Sequence, residues 1–260
     1  MTRTRPAGRI ASLIEAAARV FSLKGFRRAQ MADIAREMGV SPGLLYNYVE
    51  SKEALFYLVF DQGFGQSPAE APSLPVPTPA PGAIAELIAE RFRTEAAMPA
   101  LSAALEHPRA ENPFAELEAV VRELYAVQYR TAHATTILDR SALDMPELTT
   151  LFYGKMRGGV VSRLTRLIES RVKAGQFRRV PHPAVAARLI VETSNWFARN
   201  RRGDPASQDI TDEAAEQTTV DFIVNSLVVT SGNRPRRTKP AKSVPPRRNI
   251  KGPHRGYLVR

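Results

Sequence analysis

Cysteine is absent from the 260-residue sequence. Its absence excludes disulfides, thiol catalysis and thiolate metal sites, and it is typical of proteins from a reducing compartment such as the cytoplasm. No apolar run approaches the roughly 20 residues that a membrane-spanning helix needs. The basic start of the chain is followed by charged residues before any apolar core can form, so we expect no secretory signal. These absences favour a cytoplasmic protein without a membrane partner.

Motifs of the common catalytic sites are missing as well. The four histidines show no HExxH spacing, and the sequence contains neither a GxSxG nucleophile elbow nor a P-loop. No dinucleotide-binding fingerprint follows a strand-like segment. We therefore expect a protein that is not an enzyme and that uses no metal or cofactor.

The formal net charge of +11 is concentrated at the C-terminus. Residues 231–260 contain ten Lys or Arg, five Pro and no acidic residue, whereas the other 230 residues carry 27 basic and 26 acidic side chains. So few apolar groups cannot offset the entropy of ordering the chain, and we expect this basic tail to be disordered. The charge favours a polyanionic partner such as DNA, although a solubilising extension explains the tail equally well.

Apolar residues recur at spacings of three and four along most of the chain, and no stretch alternates convincingly with period two. This pattern predicts an all-α protein. A segment with six prolines, residues 65–82, interrupts the helices and should form a loop. We expect one helical domain over residues 1–64, a second helical domain over residues 83–230, and the tail over residues 231–260.

The window from Met31 to Glu50, MADIAREMGVSPGLLYNYVE, meets the requirements of a helix-turn-helix. Ala35 is small at the point where the two helices cross, and Gly39 supplies the turn between them. The second helix, expected from Ser41 to Val49, would then lie in the major groove and read base edges. A plain helical hairpin with a polar surface is the alternative interpretation of these twenty residues.

The stretch from Ala11 to Leu58 resembles the DNA-binding domain of the TetR/AcrR family of transcriptional regulators. Two segments, GVSPGLLYNYV and SKEAL, occur in the order and spacing of that family. The other matching residues are Ala17, Phe21, Gly25, Phe26 and Asp33 to Ala35. The resemblance implies a homodimer that binds a pseudo-palindromic operator, usually as a repressor, and releases it when a small molecule enters the helical body. It makes residues 1–64 the DNA-binding domain and residues 83–230 the ligand-binding and dimerisation domain.

Several side chains of this window are predicted to contact DNA. Asn47 can form a hydrogen bond to a base edge, and Leu44 can meet a thymine methyl group. The resemblance assigns the DNA backbone to Tyr46, Tyr48 and Lys52. The full predicted set is Gln30, Ser41, Pro42, Gly43, Leu44, Tyr46, Asn47, Tyr48 and Lys52. The family usually places Thr or Ser at the position of the first of these, so the missing cap is expected to cost about 1 kcal/mol.

The helical body is expected to hold the small-molecule effector in an apolar cavity with few polar groups. The candidate ligand-binding residues are Tyr125, Tyr129, His133, Phe152, Tyr153, Met156 and Trp196. For each of them, ordinary core packing or a surface position is the alternative. Because the set is aromatic and nearly neutral, we expect an apolar or amphipathic ligand. For the homodimer interface, the resemblance implies helices over about 147–174 and 183–200, with 211–229 as the alternative.

A second function is also compatible with the charge: a DNA-binding protein without sequence preference, driven by the basic tail. Such a protein would bind any duplex, and raising the salt concentration would remove most of its affinity. Binding to specific and scrambled DNA, with and without residues 231–260, separates the two functions.

Overall fold

The computed structural model describes residues 6–62, 73–142 and 144–229. The basic tail and residues 65–72 of the proline-rich segment therefore lie outside the described residues. Within the described ranges the chain is helical and forms no strand beyond two isolated backbone bridges. The all-α fold predicted from the sequence is confirmed.

Four helices form the N-terminal part of the described chain, and the others form the body. The first four are α1 (Pro6–Arg28), α2 (Met31–Met38), α3 (Pro42–Leu45) and α4 (Lys52–Gln62). The others are α5 (Ala83–Glu95), α6 (Pro99–Glu106), α7 (Pro113–Arg130), α8 (Ala132–Ala142), α9 (Pro146–Thr149), a π-helix (Thr150–Arg157), α10 (Gly158–Lys173), α11 (Pro183–Ala198) and α12 (Asp212–Leu227). Two short 3₁₀ turns, Asn200–Gly203 and Pro205–Ser207, precede the last helix.

Side-chain caps explain where several helices begin. Ser51, Asn112 and Thr211 each accept a main-chain N–H from the first turn of the following helix at 3.1 Å. Before α2 the side chain of Gln30 is a poor cap, but the carboxylate of Asp33 accepts the main-chain N–H of Gln30 at 3.0 Å. Asp33 thus caps the start of α2, a role that the sequence did not indicate.

The second helix of the helix-turn-helix is shorter than predicted. The sequence suggested a helix from Ser41 to Val49, whereas α3 covers only Pro42–Leu45. Beyond it the main-chain N–H groups of Asn47 and Tyr48 donate to carbonyls three residues earlier. Such bonds tighten the chain into a 3₁₀-like turn.

Helices of the N-terminal part pack directly on the body. Helix α1 lies along α8, and α4 lies against α5. The main-chain N–H of Phe26 donates to Oγ of Ser141 at 3.1 Å, and the Arg91 guanidinium pairs with the carboxylate of Asp61 at 2.8 Å. A domain boundary near residue 64 stays a prediction, since these contacts cross it.

The body encloses an apolar core, built from α6, α7, α10, α11 and α12. Arg171 lies fully buried beside this core, and its guanidinium binds both carboxylate oxygens of Glu116 at 2.6 and 2.7 Å. The same guanidinium donates to the carbonyls of Ala104 and His107 at 2.6 and 2.9 Å. A buried charge needs this full set of partners, and the set fixes the end of α6 against α7 and α10.

Residues 73–82, the described end of the proline-rich segment, form a strap that pairs with the end of the helix-turn-helix. Val76 is buried, and its main-chain N–H and carbonyl pair with Tyr48 and Glu50 at 2.8 and 3.0 Å. The Thr78 N–H donates to the Glu50 carboxylate at 2.9 Å, and the Thr78 hydroxyl donates to Oγ of Ser51 at 2.9 Å. The segment is irregular, as predicted, but its end is bound to the helix-turn-helix.

Candidate DNA-contact surface and ligand cavity

The residues predicted to contact DNA lie on an accessible surface of the helix-turn-helix. Behind them, Ile34, Ala35, Leu45 and Val49 are buried and hold α2 against α3. The exposed members of the predicted set are Gln30, Ser41, Pro42, Gly43, Tyr46 and Asn47, and the half-buried members are Leu44, Tyr48 and Lys52. Each of these residues therefore keeps some accessible surface, but the ammonium of Lys52 is bound to main-chain carbonyls.

Tyr46 and Asn47 project from the turn that follows α3. The side chain of Tyr46 is 50% exposed, and Asn47 is exposed as well. A methyl group added to Gly43 would meet nothing within 4 Å, so the fold itself does not require glycine at this position. The small size of Gly43 therefore leaves room for a close approach by DNA.

Lys52 is held in a way that the sequence did not predict. Its ammonium donates to the carbonyl oxygens of Phe26 and Ala29, each at 2.9 Å, and lies 4.5 Å from the centroid of the Phe26 ring. These carbonyls are at the C-terminal end of α1, where a cation is favoured. Lys52 thus ties the start of α4 to the end of α1, and a phosphate contact by it stays a prediction.

The basic residues next to this surface were not in the predicted DNA-contact set. Arg27 and Arg28 are exposed in the last turn of α1, and Arg36 is exposed on α2. Lys24 instead pairs with Asp33 at 2.7 Å. The hydrogen bond from Lys24, followed by that from the Gln30 main chain, holds the pKa of the Asp33 carboxyl below its ordinary value. Positive charge at the end of a predicted helix was the signal that could have identified the arginines.

A cavity of about 190 Å³ lies inside the body between α5, α7, α8, the π-helix, α10 and α11. Much of its wall is apolar, and six of the apolar lining residues are Phe92, Met98, Leu124, Phe152, Met156 and Val160. Of the seven predicted ligand-binding residues, Phe152 and Met156 therefore line this cavity.

The π-helix places both of these side chains. A helix was expected over about 147–174, and the π-helix occurs within that stretch. Its wider turn changes the face that the chain presents, and π-bulges occur frequently at functional sites. A methyl group on Gly158 would lie 3.2 Å from the carbonyl oxygen of Tyr153, so this glycine fits the transition from the π-helix to α10.

Three of the predicted aromatic residues lie outside the cavity lining. Tyr125 is buried, and burial raises the pKa of its phenol. Tyr129 is exposed, its hydroxyl donates to Asp212 at 3.0 Å, and the Arg202 guanidinium lies 3.9 Å from its ring centroid. Trp196 is 37% exposed on α11. These residues therefore do not line the cavity, because α7 and α11 present other faces to it.

The remaining two candidates lie beside other features. The hydroxyl of Tyr153 donates to the carboxylate of Asp139 at 3.3 Å, while its ring packs on Phe152 outside the cavity lining. His133 lines a different hollow, between α1, α4 and α8, together with Glu15. Burial lowers the pKa of the His133 imidazole.

Polar residues of the cavity were missed at the sequence level. Gln128, Thr131, Thr135 and Asp139 recur at spacings of three and four across α7 and α8, and all four line the cavity. This polar stripe on otherwise apolar helices was the available signal. Arg199 pairs with Asp139 at 2.5 Å.

A second arginine of the lining is also paired. The Arg157 guanidinium forms an ion pair with Glu192. Glu192 also pairs with Arg188 at 2.6 Å, so this one carboxylate serves two guanidinium groups. The cavity therefore combines an apolar wall with arginines that outnumber their carboxylate partners.

None of the helices in the described ranges has the length and hydrophobicity needed to cross a membrane. In the same ranges, no group of three or more His, Asp or Glu side chains is arranged to hold a metal ion.

Two family models match the sequence. One is described as bacterial regulatory proteins, tetR family, and matches residues 13–58. The other is described as tetracyclin repressor-like, C-terminal domain, and matches residues 110–219. Together they cover more than half of the chain. The search of curated proteins gave no match.

Solved structures share the fold at low sequence identity. The ketosteroid transcriptional regulator KstR2 of Mycobacterium tuberculosis aligns with a TM-score of 0.54 and 16% identity over 88% of this chain and 98% of that protein. A tetR-family regulatory protein from Rhodococcus RHA1 aligns with a TM-score of 0.50 and 18% identity over 88% of this chain and 100% of that protein.

Proposed function

The chain belongs to the TetR family of bacterial regulatory proteins, and on that premise we propose that it is a transcriptional repressor. It binds a pseudo-palindromic operator as a homodimer and leaves the operator when a small apolar or amphipathic molecule occupies the cavity. The observation that carries the proposal is the helix-turn-helix, whose second helix and following turn expose Pro42, Gly43, Tyr46 and Asn47 over a buried core.

Base recognition is assigned to a small group of side chains. Asn47 can pair with a base edge and Leu44 can meet a thymine methyl group, whereas Pro42 and Gly43 have no side-chain donors. Sequence-dependent DNA shape is therefore expected to contribute to the choice of operator. Tyr46, Tyr48 and the arginines at the end of α1 are assigned to phosphates, which set register rather than sequence.

Exposed apolar side chains support a dimer formed by α11 and α12. Val185, Leu189 and Trp196 follow one face of α11 and are 56%, 63% and 37% exposed, and Phe222 on α12 is 70% exposed. Large apolar residues in such a group are typical of a protein interface. Among the described residues α10 exposes no large hydrophobic side chain, so we assign the interface to the region 183–200 together with the alternative helix at 211–229.

The dimer sets the spacing of the two DNA-binding surfaces. A two-fold axis must place both recognition elements in major grooves that are roughly 34–36 Å apart, or a multiple of that distance. This requirement predicts two inverted half-sites in the operator.

Release of DNA requires that the cavity affect the position of the helix-turn-helix. Phe92 of α5 and Ala96, the residue after that helix, line the cavity. Helix α5 follows directly after the strap, which pairs with Tyr48 and Glu50. A second route runs from Asp139, in the cavity wall, along α8 to the contacts that α8 makes with α1. A ligand that binds one arrangement of these elements more tightly shifts the protein away from the DNA-binding arrangement.

Selection from a random duplex library with the full chain tests the proposal. We expect the bound duplexes to converge on one sequence with two inverted half-sites. The triple variant Pro42→Ala, Leu44→Ala, Asn47→Ala serves as the control and should give no convergence. A wild-type protein that binds duplexes without enriching any sequence would contradict the proposal and would favour the tail-driven alternative.

A further inference from the structure

We propose that the cavity binds an amphipathic carboxylate, a molecule with an apolar body and one carboxylate group, and that Arg157 holds the carboxylate. The inference rests on the proposed function only in identifying the cavity as the effector site. Three observations carry it: the positive charge of the cavity lining, the sharing of Glu192 between two arginines, and the unpaired nitrogens of Arg157.

The charged residues of the cavity lining carry a net positive charge. They are Asp139, Arg157 and Arg199. Arg199 pairs with Asp139 at 2.5 Å, so the lining holds no carboxylate for Arg157. A fixed positive charge in a largely apolar, half-buried wall favours an anionic group on the ligand.

The carboxylate that Arg157 does contact has a second partner. Arg157 pairs with Glu192, which lies outside the cavity lining. Glu192 also pairs with Arg188, four residues earlier on α11, at 2.6 Å. When a ligand carboxylate binds Arg157, Glu192 keeps Arg188, and no charge of the protein loses its only partner. Binding of an anion thus avoids the cost of leaving one member of an ion pair uncompensated.

The guanidinium of Arg157 has donors left for a ligand. Arg157 is the last residue of the π-helix, and its side chain is 20% exposed. The pair with Glu192 uses Nη2, whereas Nε and Nη1 donate to no acceptor in the described structure. Neither of these two nitrogens is among the fully buried polar atoms, so a carboxylate in the cavity can accept from them. Hydrogen bonds between two charged groups are about twice as strong as those between neutral groups.

Asn195 on α11 supplies a second polar contact. It lines the cavity and is half-buried, and its side-chain amide is neither paired nor fully buried in the described structure. The amide N–H can donate to the second carboxylate oxygen. Leu124, Val127 and Val191, elsewhere in the wall, contact the apolar body. Because the cavity is partly open, that body can extend beyond the enclosed volume.

The test compares four probes on the full chain by titration calorimetry at pH 7. They are octanoate, octan-1-ol, octylamine and acetate. The first three share one chain and differ in the charge of the head group, whereas acetate has the charge without the chain. We expect octanoate to bind about tenfold more tightly than octan-1-ol, and octylamine to bind more weakly than octan-1-ol. Acetate should not bind at the same concentrations.

Two variants act on the proposed contact in opposite directions. Arg157→Gln should weaken octanoate binding about tenfold and leave octan-1-ol binding within about twofold. Glu192→Gln removes the carboxylate that competes for Arg157 and should strengthen octanoate binding about threefold, a gain that a damaged fold does not produce. Arg166→Gln is the matched control, since Arg166 is exposed on α10 outside the cavity lining, and it should change neither affinity.

Octan-1-ol or octylamine that binds as tightly as octanoate would overturn the inference, and so would binding of none of the probes. Equal octanoate affinity in Arg157→Gln and the wild type, or no gain in Glu192→Gln, would overturn it as well. If Arg157→Gln fails to fold, the order of the probes in the wild type and the gain in Glu192→Gln decide the matter.

Release of the selected duplex is measured separately by fluorescence anisotropy. Octanoate that binds but does not release DNA contradicts the proposed release mechanism while the ligand class stands. Release by octan-1-ol or octylamine but not by octanoate contradicts the ligand class while the regulator stands.

Discussion

Gly25 packs so closely on the main chain of Arg140 that a methyl group added to the glycine would lie 2.5 Å from the Arg140 carbonyl oxygen. The glycine also has a φ of 73°, in the left-handed region that other residues rarely adopt. The contact joins the end of α1 to the part of α8 that carries Asp139 of the cavity wall. One glycine thus permits both the turn before the helix-turn-helix and its close packing on the body.

Replacing this glycine is expected to destabilise the protein. Gly25→Ala introduces the left-handed strain and a collision with main-chain atoms, which should lower the free energy of unfolding by about 2 kcal/mol or more. Urea unfolding at neutral pH measures this free energy of unfolding. Gly159→Ala is the control, since a methyl group there meets nothing within 4 Å. It should be neutral or stabilising by up to about 1 kcal/mol. Equal stability of Gly25→Ala and the wild type would refute the packing argument.

The strap is expected to position the turn after α3. In Val76→Pro the N–H that donates to the Tyr48 carbonyl is lost, and the buried valine side chain is lost with it. We expect weaker affinity for the selected duplex, by about tenfold, with helix content unchanged by circular dichroism. Fluorescence anisotropy with labelled duplex measures the affinity. The exposed neighbour Pro77, changed to Ala, is the matched control, and an equal effect of the two changes would rule out this role of the strap.

The capping of α2 by Asp33 should make stability depend on pH. The Lys24 ammonium and the Gln30 N–H lower the pKa of Asp33 in the folded protein. A lowered pKa stabilises the folded state above the unfolded pKa of about 3.9, and this contribution is lost as pH falls through the folded value.

The variant Asp33→Asn isolates this contribution. It should be less stable than the wild type at pH 7, and the difference should shrink as pH falls below about 4. Thermal unfolding at a series of pH values records the trend. Asp221→Asn serves as the control because Asp221 is exposed on α12. A difference that stays constant down to pH 3 would show that Asp33 does not act through its charge.

Substitutions of Tyr46 and Asn47, two neighbouring residues of the DNA-contact surface, should weaken DNA binding in different ways. Tyr46→Ala removes a predicted phosphate contact and should weaken binding to all duplexes alike. Asn47→Ala removes a predicted base contact and should lower the preference for the selected duplex, with a cost of about 1–3 kcal/mol at one position of each half-site. Affinities for a panel of single-base variants of the duplex separate the two effects. An unchanged preference in Asn47→Ala would remove it from the recognition residues.

Local features of the sequence were sufficient for much of the fold. The helix starts at Ser51, Asn112 and Thr211 follow from side chains that cap the next turn. The turns at Gly25 and Gly39 follow from glycine, which adopts the positive φ found at both positions. These features depend on residues within one turn of each other, so they can be inferred without knowledge of tertiary packing.

The cavity and the strap depend on packing between distant segments. Tyr125 and Gln128 lie on the same helix, and residue type favoured the tyrosine as a ligand contact, but the orientation of α7 turns Gln128 to the cavity. The bridge between Val49 and Val76 joins segments 27 residues apart across a proline-rich stretch with no strand pattern. Only the packed structure supplies this information.

The central claim is that the helix-turn-helix, rather than the charge of the basic tail, selects the DNA. The direct measurement is the ratio of the Kd values for a scrambled and a selected duplex, for the full chain and for a chain ending at Val229, at the same salt concentration. We predict a ratio of about 10³ or more in both chains, with weaker overall affinity and a shallower salt dependence in the shorter one. A ratio near one in the full chain, or a preference that disappears with residues 231–260, would contradict the claim.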